Sequence, residues 1–165
     1  MGAGKSRIGR ELKAGFNWSF YDSDNIIAAE AGKSVKEIFE QDGEPAFRQM
    51  ETDCIRSLSK NAVPSIIALG GGALKNPENL EVIKRSGIVV YIKSSPEAIL
   101  ERVKHSKKRP LLENADENEM LRRISSLLAE RSKDYEKADI VFERDGLSLE
   151  EIIRKLYEQI NQHWS

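Results

Sequence analysis

Cysteine and histidine are scarce in this chain, and their scarcity excludes much. The lone Cys54 rules out an internal disulfide and fits a reducing compartment. The two histidines, His105 and His163, stand far apart with no metal-ligand spacing around them, so a zinc site is not expected. No stretch approaches the roughly 20 apolar residues that a membrane helix needs, and no basic-then-apolar leader is visible. Charge of one sign is lacking too. A net charge of −1 gives no broad basic field, so neither nucleic acid nor a membrane is expected as a partner.

What remains is 165 residues, 39% hydrophobic and 32% charged, the composition of a soluble globule with a sizeable core. No repeat, low-complexity tract or linker interrupts it. One cytoplasmic domain over 1–165 is the expectation.

Helical and strand patterns alternate. Lys5 to Lys13 reads as a helix with Ile8 and Leu12 on one face, ended by Gly15. Trp18 to Tyr21 reads as a strand closed by Asp22-Ser23-Asp24. Ser34 and Glu37 form a capping box ahead of Val35, Ile38 and Phe39, and Gly43 breaks that helix. From about Glu44 to Lys60 the apolar stripe is Phe47, Met50, Cys54 and Leu58. Ser65 to Leu69 and Ile88 to Ile92 are continuous apolar runs, and Ile140 to Phe142 is a shorter one. Asn76-Pro77 and Ser95-Pro96 open helices, a long helix runs from about Glu119 to Lys137, and Ser148 with Glu151 caps a final amphipathic one. Strands apolar throughout, alternating with helices, predict an α/β fold with a parallel sheet covered on both faces.

Four stretches carry chemistry. Gly4-Lys5-Ser6 at a loop-to-helix junction is the end of a phosphate-binding loop: glycines let backbone N–H groups curl round phosphate oxygens, lysine reaches the outer phosphates and serine can ligate Mg²⁺. The same letters also fit a disordered start, or myristoylation of Gly2. Asp22 and Asp24 follow a strand, where one carboxylate can face a metal-bound water and the other a substrate hydroxyl; a plain Asp turn is the alternative. Gly70-Gly71-Gly72 after an apolar strand lets backbone approach a ligand, or simply reverses the chain. Lys107-Lys108-Arg109-Pro110 lies in a polar stretch that suits either a basic lid or a solvated loop. Arg48 and Arg131, each on a helix, are ordinary surface charges unless both point at the sheet's carboxyl edge, where they would fork round a small carboxylate.

Together these stretches resemble the shikimate kinase family. Met1 to Ser6 matches the last six positions of its phosphate loop. Phe20-Tyr21-Asp22-Ser23-Asp24, Gly43-Glu44 with Phe47-Arg48, Gly70-Gly71-Gly72, Arg109-Pro110-Leu111-Leu112, and Glu130-Arg131 with Tyr135 follow in family order. The likeness spans Met1 to roughly Leu156. It implies a three-layer P-loop kinase fold and transfer of a phosphoryl group from ATP, with Mg²⁺, to the 3-hydroxyl of shikimate in aromatic amino-acid biosynthesis.

Carried over by position, the resemblance sets Gly2, Ala3, Gly4, Lys5, Ser6 and Arg7 at the ATP phosphates. Lys5 stabilises the transferring group, Ser6 ligates the metal and Asp22 holds a metal-bound water. Asp24 orients the reacting hydroxyl, with the role of base open to it. Arg48 and Arg131 grip the shikimate carboxylate, and Gly70, Gly71 and Gly72 line that pocket. Arg109, on a lid over about 106–118, reaches the phosphates, and Arg102 lies near adenine. Helices over about 25–60 bind substrate, and the family is generally monomeric. A gluconate- or nucleotide-kinase-like enzyme and a truncated, inactive relative are the alternatives.

Family members also carry a central strand before the phosphate loop, in a sheet of order 2-3-1-4-5, and no such run precedes Gly2 here. The expectation is that translation starts upstream, with Met1 an internal residue of the loop. An intact-mass measurement on native protein is expected to show residues ahead of Met1; a mass beginning at Met1 contradicts this.

Overall fold

Runs of aliphatic and β-branched residues become four strands, short because turn or cap residues bound each run. They are β1 Ser19–Asp22, β2 Ser65–Ala68, β3 Val90–Lys93 and β4 Ile140–Glu143. In the computed structural model, which describes residues 2–104 and 116–164, β1 pairs with β2 and β3 with β4, both parallel. The pairs form two separate sheets, and among the described residues no strand lies between β2 and β3.

Among the described residues eight α-helices flank these strands: α1 Lys5–Phe16, α2 Ser23–Ala31, α3 Val35–Gln41, α4 Gly43–Leu58, α5 Pro77–Ser86, α6 Pro96–Val103, α7 Glu117–Tyr135 and α8 Leu149–Trp164. Their starts follow the expected chemistry. Ser34 accepts from the Glu37 amide while the Ser34 amide donates to the Glu37 carboxylate, completing the capping box. Asn76 accepts from the Glu78 amide, with Pro77 at the first helical position. Ser95 and Asp116 cap α6 and α7 in the same way.

Two expectations need correction. Gly15 does not end α1: the helix runs to Phe16 and closes on Asn17, which takes the left-handed conformation at φ 55°. Glycine costs about 1 kcal/mol inside a helix. Here packing compensates, because Phe16 stacks between Trp18 at 4.4 Å and Tyr157 of α8 at 4.5 Å. The second correction concerns Asp22-Ser23-Asp24, which is no loop. Asp22 ends β1 and Ser23 opens α2, so Asp24 sits in a helix's first turn, where the helix dipole favours a carboxylate.

The main core joins Ile8 and Leu12 of α1, Ile92 of β3, Phe142 of β4, and Ile152 and Leu156 of α8. A second cluster packs Ile99, Leu100 and Val103 of α6 on Ile124 of α7, and a third packs Ile27, Ile38, Phe47 and Cys54 across α2 to α4. Cys54 is thus a buried core thiol, and burial pushes its pKa up to about 11.

Between β2 and β3 runs an apolar groove of about 300 Å³, floored by Ile8 and Leu12 of α1. Trp18 and Trp164 stand at the strands' N-terminal end, and Ala3, Gly70 and Gly71 at the C-terminal end. Its two walls are strand edges with backbone groups left to pair. A short β-branched extension fused ahead of Met1 is therefore expected to raise the melting temperature by several degrees. A Gly/Ser extension of equal length should leave it unchanged, and equal shifts in a thermal melt would contradict the strand-pairing role of the groove.

Candidate active site

The phosphate loop and the carboxyl ends of the strands meet at one edge. Gly4 caps α1 at φ 81°, a conformation that strains any side-chain-bearing residue, and its carbonyl accepts from the Arg7 and Ile8 amides at 3.1 and 2.9 Å. A helix N-terminus reached through such a turn is a ready anion site. Ser6 donates to Asp22 Oδ2 at 2.5 Å, tying the loop to the end of β1. A hydroxyl and a carboxylate side by side are hard oxygen donors of the kind a divalent magnesium ion takes. No cluster of three or more His, Cys, Asp or Glu ligands occurs among the described residues, so any ion here must also lean on water and substrate oxygens.

Asp24 lies just behind this pair. Burial, then the neighbouring Asp22 charge, pushes its carboxyl above the usual range, while Lys5 and Arg48 pull it back. Arg48, on α4, bonds Glu51 at 2.7 Å and Glu44 at 3.1 Å. Burial alone would lower the Arg48 guanidinium, but the bonds and charges of those two glutamates outweigh it and raise it. The Glu51 side chain is 1% exposed, and burial raises its pKa against the pull of Arg48. The charge of Arg131 on α7 also lowers it, as a smaller effect.

The glycines close over this group. A Cβ on Gly70 would lie 2.6 Å from Glu51 Oε1 and 2.9 Å from Asp24 Oδ1. One on Gly72 would lie 2.6 Å from both terminal nitrogens of Arg48. Asp24 Oδ1, Glu51 Oε1 and Arg131 Nε are buried and lack a hydrogen-bond partner among the described residues. Unpaired buried polar atoms are costly, and two of these three, Asp24 Oδ1 and Glu51 Oε1, meet beside Gly70.

On the far side of the phosphate loop is a cationic cluster. Arg102 of α6 donates to the Gly2 carbonyl at 3.1 Å and to Ser94, and Arg144, at the end of β4, donates to the Ala3 carbonyl. Burial, then the adjacent Arg102 charge, lowers the Arg144 guanidinium, with Arg7 adding to the repulsion and Asp145 opposing it. Three arginines against one aspartate favour an anion.

The structure thus links Lys5, Ser6, Asp22, Asp24, Arg48, Gly70, Gly72 and Arg131 through hydrogen bonds, close approaches and charge interactions, with Gly2, Ala3, Arg7 and Arg102 joined through the arginine cluster. Arg109 and most of the expected lid fall within residues 105–115, outside the described residues. Glu51 and Arg144 were missed. Glu51 lies one turn after Phe47 on the stripe of α4, and an acid on an apolar stripe is a legible sign. Arg144 follows a strand's carboxyl end, where α/β sites gather.

Because Glu51 is buried against it, Gly70→Ala is expected to cost about 1–3 kcal/mol through overpacking, several degrees in melting temperature, and Gly72→Ala less, since the Arg48 guanidinium it meets ends a partly exposed side chain. Gly87→Ala is the control, since its backbone is extended and no atom lies within 4 Å of the added carbon. Thermal melts in which all three behave alike would contradict this packing.

Comparison with known proteins agrees with the geometry. The family model described as shikimate kinase matches residues 1–161. Shikimate kinase from Chlorobaculum parvum is 38% identical, over 98% of this chain and 90% of the relative. That from Geobacter sulfurreducens is 36% identical, over 99% and 88%. Among solved structures, shikimate kinase from Acinetobacter baumannii in complex with shikimate superposes with a TM-score of 0.89 at 34% identity, covering 99% of this chain and 89% of that one. Shikimate kinase from Bacteroides thetaiotaomicron gives 0.91 at 28% identity, over 98% and 94%. The fold is therefore the P-loop kinase α/β fold, and with a family model spanning nearly its whole length this chain belongs to the shikimate kinase family.

Proposed function

We propose that the protein transfers the terminal phosphoryl group of ATP to the 3-hydroxyl of shikimate. The observation that carries this reading is Asp24: its buried, unpartnered Oδ1 lies within electrostatic reach of Lys5 on the phosphate loop and Arg48 in the pocket. In this reading it stands between the phosphoryl group held at Lys5 and the substrate acid held at Arg48.

In this assignment Gly2 to Ser6 and Arg7 cradle the phosphates, and Lys5 stabilises charge on the group in transit. Ser6 and Asp22 would hold Mg²⁺, which when bound neutralises charge on the phosphate oxygens. Asp24 accepts a hydrogen bond from the 3-hydroxyl and orients it, and its raised proton affinity suits it to take the proton. Arg48 and Arg131 fork round the substrate carboxylate, while Gly70 to Gly72 let the sugar-like ring approach backbone. Arg102 and Arg144 serve the nucleotide, and Arg109 supplies charge from the lid. Phosphoryl transfer needs little covalent help, so positioning and fixed positive charge supply most of the catalysis. The chain works in this reading as one domain and a monomer in the cytoplasm, with no nucleic-acid or membrane partner. That last part rests on its even charge and single buried cysteine; among the described residues no helix is long and apolar enough to cross a membrane.

An ADP-release assay with shikimate, gluconate, other hydroxy acids and nucleoside monophosphates tests the reading. Shikimate alone is expected to drive turnover, and a preferred nucleotide or gluconate would overturn it. Lys5→Met is expected to abolish turnover while leaving the melting curve in place. Arg48→Ala, which removes charge-assisted bonds of about 1.5–3 kcal/mol, should raise the shikimate KM about ten- to a hundredfold; full activity in either variant contradicts its role.

A further inference from the structure

The triple-glycine loop has no side chains of its own to anchor it, yet it lies against the charged groups of Asp24, Arg48 and Glu51. Two hydroxyls from elsewhere hold it. Ser23, wholly buried between Asp22 and Asp24, accepts from the Gly70 amide at 3.1 Å. Tyr135, one helical turn after Arg131 on α7, donates to the Gly71 carbonyl at 2.6 Å. The ring of Tyr91 on β3 packs on that of Tyr135 at 4.8 Å, which limits where the phenol can swing.

We propose that Ser23 and Tyr135 are positioning residues that clamp the Gly70–Gly71 segment, one at its amide and one at its carbonyl, and so fix the shikimate pocket. The inference rests on the functional reading above. Through the clamp, the helix carrying Asp24 and the helix carrying Arg131 are bonded to the same short backbone segment, whose Gly70 lies against Glu51 and Asp24 and which leads directly into Gly72 against Arg48. A shift of a few tenths of an ångström in that segment would alter the space at Asp24 Oδ1 and at the Arg48 guanidinium together. Small misplacements of this kind cost far more in substrate geometry than a neutral hydrogen bond contributes to stability. Neither hydroxyl has a role in the chemistry itself. Ser23 is sealed from the pocket by burial, and Tyr135 spends its proton on a carbonyl.

The test uses Ser23→Ala and Tyr135→Phe, each of which deletes one oxygen. In steady-state assays each is expected to raise the shikimate KM about five- to thirtyfold, with the ATP KM within twofold and kcat reduced less than KM is raised. A merely structural role would instead lower kcat through loss of folded enzyme and leave both KM values alone. A second measurement needs no substrate. With glycines labelled by nitrogen-15, the Gly70 amide should exchange with solvent at least tenfold faster in Ser23→Ala, and the Gly72 nitrogen should shift in Tyr135→Phe as its neighbouring carbonyl loses a donor. A shikimate KM within twofold of the parent in either variant, or unchanged Gly70 and Gly72 signals, overturns the clamp. Should the parent protein fail to turn over shikimate, the functional reading falls, while the amide measurements still decide whether the clamp exists.

Discussion

The closeness of bare backbone to buried charge at Gly70 and Gly72 governs the rest of this structure. Arg48 and Glu51 are held together under that backbone, with Asp24 beside them and Arg131 acting from α7. A buried ion pair is a poor source of stability, since desolvation offsets much of its Coulomb gain. Its value here is positional. It fixes a guanidinium against Gly72, while Asp24 Oδ1, Glu51 Oε1 and Arg131 Nε lack partners of their own among the described residues. Any side chain on the glycines would displace that arrangement, so the loop's emptiness is what the charges require.

The scaffold supplies the other half of the constraint. Parallel pairing brings Asp22 level with Ala68, so the Asp pair and the glycine loop leave their strands side by side. On the second sheet the same logic sets Ser94 and Arg144 just past β3 and β4, where they meet the phosphate loop through Arg102 and Ala3. Helix α1 spans both sheets: Ile8 and Leu12 belong to the core of β3, β4 and α8, while the same helix packs on β1 and β2. Since α1 also begins at the phosphate loop, the helix that binds the sheets together is the one whose N-terminus is offered to an anion. The apolar groove between β2 and β3 makes this tie more important, because no backbone pairing joins the two sheets there among the described residues.

Much of this was legible in the sequence, and the failures have physical causes. Capping boxes, Asn-Pro and Ser-Pro starts and continuous apolar runs act locally, so Ser34, Asn76, Ser95 and all four strands could be read from neighbouring letters. Helix α2 could not, because Ile26-Ile27-Ala28-Ala29 has no 3.6-residue period, and its burial of Ile27 depends on α3 and α4. Gly15 misled because its propensity was outweighed by aromatic packing from α8, more than a hundred residues away in sequence. The candidate residues at motif positions, such as Lys5, Asp24 and Arg48, were nameable in advance, and the fold brings their charges within reach of one another. Glu51, Arg144, Ser23 and Tyr135 take their importance from partners distant in sequence or brought close only by the fold.

The central claim is that this site presents one particular hydroxyl of a small cyclic acid to the phosphate loop. Phosphorus-31 NMR of the product made from ATP and shikimate tests it most directly, because coupling to the ring proton identifies the esterified position. The account predicts a single phosphate monoester on the 3-hydroxyl, formed in step with ADP. A mixture of positional esters, or inorganic phosphate in place of an ester, would contradict it.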